Sequence, residues 1–132
     1  MMRYMLDTNT ISSLIKKNPV VSRKIASVPM ERLCLSVISE GEILYGLAKK
    51  PNARSLHLAV QEFLKRVDVL VWDTDVAEHY GVLRAQLESS GNLLGPLDMQ
   101  IAAHASQLGA VLVTNDQAFK RVQKLKVEDW TV

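Results

Sequence analysis

Short apolar runs alternate along this chain with helix-length amphipathic segments, and this alternation constrains the fold more than any other feature. Strands are predicted at 3–6, 33–36, 67–72, 110–113 and 127–130, and helices at 8–17, 20–27, 37–48, 53–66, 74–88 and 97–108. Strands separated by helices of about 10–15 residues pair in parallel through crossover connections. The sequence therefore predicts an α/β fold, a three-layer α/β/α sandwich around a central, mostly parallel sheet of short strands.

The breaks between these elements are single turns. Pro19, Pro29, Pro51 and Gly95-Pro96 mark them, and no internal repeat, low-complexity segment or longer linker interrupts the chain. With 132 residues, of which 48% are apolar, the chain is the size of one ordinary domain with one hydrophobic core. We therefore expect a single domain over residues 1–132.

The N-terminal apolar run is interrupted by Asp7, which is too early for a signal peptide. Nothing downstream approaches the ~20 apolar residues of a membrane span. These patterns predict a cytoplasmic protein without a membrane anchor. The one cysteine, Cys34, lies in the apolar run Leu33-Cys34-Leu35 and is expected to be a buried thiol, not a nucleophile.

Four carboxylates stand at positions where the predicted elements meet. Asp7 and Asp116 follow predicted strands, and Asp98 falls in the first turn of a helix after Gly95-Pro96-Leu97. Glu42 lies near the start of another helix. Because ligands bind at the carboxyl ends of parallel strands, we expect Asp7, Glu42, Asp98 and Asp116 to form a catalytic site.

Each of these carboxylates also has an ordinary structural interpretation. Asp7 and Asp116 are typical caps or turn residues, and Ser39-Glu40-Gly41-Glu42 has the spacing of a capping box. Asp98 would stabilise its helix through the helix dipole alone. The functional interpretation therefore depends on the four occurring together.

Carboxylates held close together repel one another unless a cation neutralises them or they share protons. Oxygen ligands without cysteine or histidine neighbours favour Mg²⁺, or alternatively Mn²⁺. His57, His79 and His104 occur singly, without zinc-ligand spacing, and are expected on helix surfaces or in the core. The sequence thus predicts a hard divalent cation.

Five motifs in order carry a resemblance to a known family. They are Met5-Leu6-Asp7-Thr8-Asn9, Ser36 with Glu42-Ile43-Leu44-Tyr45-Gly46, the segment 95–105 (GPLDMQIAAHA), Val113-Thr114-Asn115-Asp116 with Phe119, and Glu128-Asp129-Trp130. Across nearly its whole length the chain resembles the PIN-domain family, in particular the VapC toxins of bacterial toxin–antitoxin pairs.

This resemblance implies a Mg²⁺-dependent endoribonuclease that cleaves a structured RNA, typically transfer RNA, and leaves a 5′-phosphate and a 3′-hydroxyl. It implies inhibition by a cognate VapB-type antitoxin, and the family habit is a homodimer. Asp7 and Asp98 would be the principal metal ligands. Glu42 would complete the acidic site directly or through a water, and Asp116 would support a water or a second metal. Glu40 receives no role.

The basic residues offer a means of binding RNA. Without the four carboxylates, 16 basic residues would face 10 acidic ones, a surplus that suits a polyanion. Clusters occur at Lys16-Lys17, at Lys49-Lys50 and at Lys120-Arg121 with Lys124 and Lys126. Each cluster either grips phosphates or is simply a solvated helix face.

Two other functions are weighed against the nuclease. In a haloacid-dehalogenase-type phosphatase Asp7 would be the nucleophile, but that class needs a second aspartate two positions later, where this chain has Asn9. A non-catalytic binding module would use the apolar helix faces to hold a partner, for which the candidates are Leu44, Leu47, Leu56 and Leu64, unless these belong to the core.

Overall fold

A computed structural model describes residues 2–132 of the chain. Over this range the elements are β1 (Tyr4–Leu6), α1 (Thr8–Ile15), α2 (Pro19–Ala26), β2 (Leu33–Ser36), α3 (Val37–Ala48), α4 (Arg54–Arg66), β3 (Asp68–Leu70), α5 (Thr74–Ser89), α6 (Pro96–Leu108), β4 (Val111–Val113) and β5 (Val127–Glu128), with 3₁₀ turns at Met30–Arg32 and Gln117–Arg121. Each predicted strand and helix is present.

The strands form one sheet in the order β3-β2-β1-β4-β5, and every neighbouring pair is parallel. The chain builds outward from β1 through β2 to β3, and then crosses back to add β4 and β5 on the other side. This reversal between β1 and β4 is the topological switch point at which open α/β sheets bind ligands. The predicted parallel α/β fold is confirmed.

Alternating side chains of the strands divide the interior into two cores, one on each face of the sheet. Met5 packs with residues of α5 and α6 such as Leu83 and Ala102. Its neighbour Leu6 faces the other way and packs with Ile11 of α1 and Val60 of α4. Helices therefore cover both faces, which gives the predicted three layers.

Helices α3 and α5 start at residues 37 and 74 as predicted, and the structure identifies the side chains that cap them. Helix α3 is capped by Ser36, whose hydroxyl accepts from the Ile38 N–H, so the alternative interpretation of Ser39 to Glu42 as a capping box is excluded. Helix α5 is capped by Asp73, whose carboxylate accepts from the Val76 N–H. Ser36 is the last residue of β2, and Asp73 follows β3 after Val71 and Trp72, so each cap is the first side chain with an oxygen acceptor at or beyond the end of its strand.

Two expectations about the interior and the membrane can also be compared with the structure. Cys34 is fully buried, and burial raises the pKa of its thiol to about 11, which suits a core residue. Within residues 2–132, no helix has both the length and the apolar character that crossing a membrane requires.

Candidate functional site

An acidic cavity of about 480 Å³ opens at the carboxyl ends of β1 and β4, beside the switch point of the sheet. All four of the predicted catalytic carboxylates line it. Its lining consists of Asp7, Thr8, Asn9, Ser12, Ser13, Lys16, Glu42, Asp98, Asn115 and Asp116. The crossovers of the fold thus bring to one cavity side chains that lie more than 100 positions apart in sequence.

Asp7 lies at the bottom of this cavity, where its side chain is only 5% exposed. One carboxylate oxygen accepts from the Thr8 N–H (2.8 Å), and the other accepts from the Thr114 hydroxyl (2.8 Å) and from Asn9 Nδ2 (3.3 Å). Burial raises the pKa of Asp7 despite these bonds, and the charges of Glu42 and Asp116 add to the increase. Asp7 thus both caps α1, through the bond from the Thr8 N–H, and lines the cavity.

Thr114 and Asn9 were not predicted as functional residues, although both occur in the motifs. The Thr114 hydroxyl is buried, accepts from Asn9 Nδ2 (3.2 Å) and from the Asp116 N–H (3.1 Å), and donates to Asp7. The Thr114 hydroxyl thus links the ends of β1 and β4 by hydrogen bonds. In the sequence, the signal for this role was a polar residue directly before Asn115-Asp116, at the end of a predicted strand.

Glu42 lies within α3, six residues after its cap. One of its carboxylate oxygens accepts from the Thr8 hydroxyl (3.1 Å), so its partner belongs to α1 and not to the start of its own helix. This contact excludes the capping-box interpretation and turns Glu42 toward the cavity. The neighbouring Glu40 is not among the lining residues.

Asp98 lies in the first turn of α6, after the cap residue Gly95. Within the described part of the chain its carboxylate has no hydrogen-bond or ion-pair partner. Partial burial and the charges of Asp7 and Asp116 raise its pKa. An unpaired carboxylate that is both desolvated and repelled by two others is suited to bind a cation.

Asp116 caps the 3₁₀ turn Gln117–Arg121 by accepting from the Ala118 N–H (2.9 Å). It nevertheless lines the cavity, and its charge acts on both Asp7 and Asp98. The cap interpretation and the site interpretation therefore both hold for this residue. Because one of its oxygens is engaged, it has less freedom than Asp98.

The four carboxylates line the cavity but do not converge on one position. Among residues 2–132, no three His, Cys, Asp or Glu side chains lie close enough to hold a metal ion by themselves. A magnesium site typically uses one or two carboxylates, together with waters and substrate phosphate. The all-oxygen donor set, with Asp7 and Asp98 desolvated and mutually repelling, fits a hard divalent cation of this kind.

None of the three histidines lines the acidic cavity in the described structure. His57 bonds to the Lys50 carbonyl (2.9 Å), His79 to Ser106 (3.0 Å), and the buried His104 to Ser36 (2.8 Å). This agrees with the predicted helix-surface and core positions. Of the predicted basic clusters, only Lys16 reaches the lining in the part of the chain described.

Comparison with known proteins gives consistent similarities. The family model described as PIN domain matches residues 4–125. The tRNA(fMet)-specific endonuclease VapC of Salmonella typhimurium is 42% identical over 98% of this chain and 99% of that protein.

Solved structures show the same similarity. DNA-bound VapBC from Salmonella typhimurium matches with a TM-score of 0.90 and 38% identity, covering 98% of this chain and 99% of its own. VapBC2 from Rickettsia felis, bound to a DNA fragment from its promoter, matches with a TM-score of 0.90 and 32% identity over the same shares.

Proposed function

This chain belongs to the PIN-domain family, and from that membership we infer that it is a metal-dependent endoribonuclease, the toxin of a VapBC-type toxin–antitoxin pair. Residues 1–132 act as a single nuclease domain. The substrate is a structured RNA, and transfer RNA is the first class to test because a relative that is 42% identical is named a tRNA(fMet)-specific endonuclease. The cofactor is Mg²⁺, for which Mn²⁺ can substitute.

One observation carries this proposal: Asp7, Glu42, Asp98 and Asp116 line one cavity at the switch point of the sheet. The same chain aligns over nearly its full length with nucleases that have this fold. The phosphatase alternative lacks comparable support, because Asn9 stands where that class needs an aspartate. In place of a second aspartate, the Asn9 amide donates to the Asp7 carboxylate.

We assign Asp7 and Asp98 as the principal metal ligands, with Glu42 completing the acidic site and Asp116 supporting it. When bound, a divalent cation supplies positive charge that lowers the pKa of water and offsets the charge of the phosphate. Asp98 brings a carboxylate without a partner among residues 2–132, and Asp7 brings one whose orientation is fixed by three donors.

The protein's own contribution is preorganisation of these charges. Thr114 and Asn9 hold the Asp7 carboxylate, and Thr8 holds Glu42, so neither side chain has to reorganise when substrate arrives. An external water attacks the phosphorus, and the bond to the 3′-oxygen breaks. The products carry a 5′-phosphate and a 3′-hydroxyl, and no covalent enzyme intermediate forms.

We also propose that the chain is held inactive by a VapB-type antitoxin and forms a homodimer in the cytoplasm. The support is that the matched solved structures are VapBC complexes. Leu44 and Tyr45 of α3 are 46% and 64% exposed, which leaves apolar surface available to a partner, whereas Leu47 belongs to the core. Size-exclusion chromatography with light scattering, without and with a co-expressed antitoxin, tests this assembly.

The test of the nuclease is incubation of the purified chain with bacterial initiator transfer RNA in Mg²⁺, in Mn²⁺ and in excess chelator, followed by mapping of the new ends. We expect metal-dependent cleavage to a 5′-phosphate and a 3′-hydroxyl, and its loss in Asp7→Asn. Asp75→Asn, an exposed aspartate in the first turn of α5, is the matched control and should cut normally.

Cleavage that persists unchanged in Asp7→Asn or in chelator would refute the assignment, as would a 2′,3′-cyclic phosphate. A chain that cuts neither initiator transfer RNA nor total cellular RNA, and does not slow growth when expressed alone, would favour the non-catalytic binding module. Hydrolysis of a small phosphomonoester with an acyl-phosphate trapped on Asp7 would favour the phosphatase.

A further inference from the structure

Lys16 brings the single positive charge to the lining of the acidic cavity, among the residues that the structure describes. The other charged lining residues are the four carboxylates. An ammonium placed among carboxylates ordinarily pairs with one of them, because the attraction is favourable at short range. Whether Lys16 does so decides whether its charge is available to a ligand.

The structure shows that it does not pair. The ion pairs over residues 2–132 use Arg3, Lys65, Arg66 and Arg84, and none of them involves Lys16. The Lys16 side chain is exposed and makes no hydrogen bond to protein within the described residues. Its charge therefore faces the cavity without being neutralised by the carboxylates.

Helix α1 fixes the separation between the backbones of Lys16 and of Asp7, the deepest carboxylate. Asp7 caps the start of α1 and Lys16 caps its end, where the Lys16 N–H donates to the Ser12 carbonyl (3.0 Å). Nine positions at 1.5 Å per residue separate the two Cα atoms by roughly 13 Å. Both residues line the same cavity, and this length leaves room along α1 for two phosphates of one RNA strand.

A smaller cavity of about 140 Å³ continues from the acidic one between α1, α3 and α4. The two share Thr8, Ser12, Lys16 and Glu42, so Lys16 lies where they join. The lining of the smaller cavity is otherwise apolar and includes Ile15, Leu47 and Val60. An RNA strand that leaves the carboxylates in this direction passes the four shared residues, of which Lys16 carries the positive charge.

We propose that Lys16 is a substrate-binding residue that contacts an RNA phosphate adjacent to the one cleaved. This inference rests on the proposed nuclease function and deepens it. The positive charge compensates for a second phosphate beyond the reach of a cation held by Asp7 and Asp98. The ammonium thereby sets which phosphate of the strand lies at the carboxylates.

The other basic clusters do not have this position. Lys17 lines a separate, largely apolar cavity formed with α2 and α4. Arg121 and Lys124 line a cavity beside α5 that contains no carboxylate, and the Arg121 guanidinium donates to the Leu93 carbonyl (3.2 Å). Lys49 lies over the Tyr45 ring, 4.5 Å from its centroid. The proposal is therefore specific to Lys16 and excludes its sequence neighbour.

The test compares Lys16→Gln, Lys16→Arg and Lys17→Gln. Lys17→Gln is the matched control, since it removes the same charge one residue away and keeps a long unbranched side chain at φ +62°. Two measurements are made on each: kcat and KM for initiator transfer RNA cleavage in Mg²⁺ over a series of KCl concentrations, and fluorescence-anisotropy binding of the same RNA in chelator.

We expect Lys16→Gln to raise KM roughly five- to tenfold, the size of one partly exposed charge-assisted contact. Loss of one phosphate contact should also reduce the slope of log affinity against log salt by about 0.7 to 0.9. The value of kcat should change little, Lys16→Arg should restore binding, and Lys17→Gln should match the parent. Unchanged KM and salt slope in Lys16→Gln, or equal effects in Lys17→Gln, would overturn the proposal.

The binding measurement separates this inference from the proposed function. RNA that binds in a Lys16-dependent way but is never cut would support the phosphate contact and refute the nuclease. RNA that is cut by the parent and by Lys16→Gln with the same KM would refute only the role of Lys16. Lys16→Gln could instead need less Mg²⁺ for cleavage while its RNA affinity stays unchanged. That result would show that Lys16 only changes the electrostatic potential at the carboxylates, and it would also overturn the proposal.

Discussion

The Thr114 hydroxyl donates a 2.8 Å hydrogen bond to the Asp7 carboxylate, and so joins the ends of β1 and β4 across 107 positions of sequence. Both groups are buried, and the same hydroxyl accepts from Asn9 and from the Asp116 N–H. Of the three donors that fix the orientation of the deepest carboxylate, Thr114 is the one that comes from β4's end of the chain.

Replacing Thr114 by valine should impair both stability and cleavage. The nearly isosteric change removes the partner of the part-buried Asp116 N–H and one of the hydrogen bonds made by Asn9 Nδ2 and by Asp7, which costs about 1–2 kcal/mol of unfolding free energy. Loss of a group that orients Asp7, which we propose as a metal ligand, should lower kcat/KM roughly 10- to 100-fold. Denaturant titration and initiator transfer RNA cleavage measure the two effects.

Thr10→Val is the control for this change. Its hydroxyl is also buried, donates to the Val113 carbonyl (2.9 Å) and lies 3.3 Å from Asn9 Oδ1, but among the described residues it contacts no carboxylate. We expect a similar loss of stability with cleavage kept near the parent rate. Equal losses of cleavage in the two variants would mean that Thr114 acts only through stability.

Replacing Asp98 by asparagine should abolish cleavage while stabilising the metal-free protein. The parent carboxylate is desolvated, repelled by Asp7 and Asp116, and unpaired within the described residues, so removal of its charge relieves an unfavourable interaction. Cleavage should fall by more than ~100-fold, beyond the range typical of outer partners. Thermal unfolding in chelator and single-turnover kinetics provide the two readings. A destabilised Asp98→Asn would contradict the predicted strain.

Addition of Mg²⁺ should stabilise the parent protein against unfolding. A ligand that binds only the folded state at 100 times its Kd adds about 2.7 kcal/mol. The increase in Tm should be much smaller in Asp98→Asn and unchanged in Asp75→Asn, whose aspartate also lies in the first turn of its helix but outside the cavity. Differential scanning calorimetry over a Mg²⁺ series tests this. Identical shifts in all three proteins would exclude Asp98 as a ligand.

His104 should make the protein less stable in mild acid. Burial lowers the pKa of His104, although the charge of Asp73 partly opposes this, and the edge of Trp72 packs against the ring. The Ser36 hydroxyl accepts from the Ile38 N–H and can donate only to an unprotonated Nδ1. The unfolded state therefore binds the proton more readily, and the unfolding free energy decreases as the pH falls below 6.5.

The measurement is urea unfolding between pH 5 and 8 for the parent, His104→Gln and His57→Gln. The raised pKa values of Asp7 and Asp98 act in the opposite direction, so the difference between parent and variant isolates His104. The decrease in unfolding free energy below pH 6.5 should be missing from His104→Gln. It should be retained in His57→Gln, because the His57 ring bonds to the exposed Lys50 carbonyl. Parallel profiles for all three would contradict it.

Much of the fold followed from patterns within single segments. The run Leu33–Ser36 was predicted as a strand with the bounds that the structure has, and Gly109 ends α6 in the left-handed conformation that glycine favours. The predicted strand at 67–72 was too long, because the chain leaves the sheet after Leu70 to place Asp73 as a cap. A run of apolar residues lengthens the strand that is predicted from sequence. In the structure, the strand ends where its pairing with the neighbouring strand ends.

The candidate site was only partly accessible to such reasoning. That Asp7 and Asp116 follow strands could be deduced from their neighbours, and that they share an edge followed from parallel pairing. Their double role as caps and lining residues could not, because a cap is recognised from local spacing while the cavity depends on distant strands. Glu42 was ambiguous for the same reason, since its partner Thr8 lies 34 positions away.

The sequence by itself determined the alternation of strands and helices, the parallel sheet, and the set of carboxylates available for chemistry. These depend on side-chain periodicity and residue type, which neighbours along the chain define. Only the tertiary structure decided that Thr114 helps to orient Asp7 and, within the part of the chain that it describes, that Asp98 has no partner and that Lys16 rather than another basic residue lines the acidic cavity. Those relationships arise from the strand order and from the crossover that brings β4 beside β1, because distances between separate elements are not encoded in the spacing within either one.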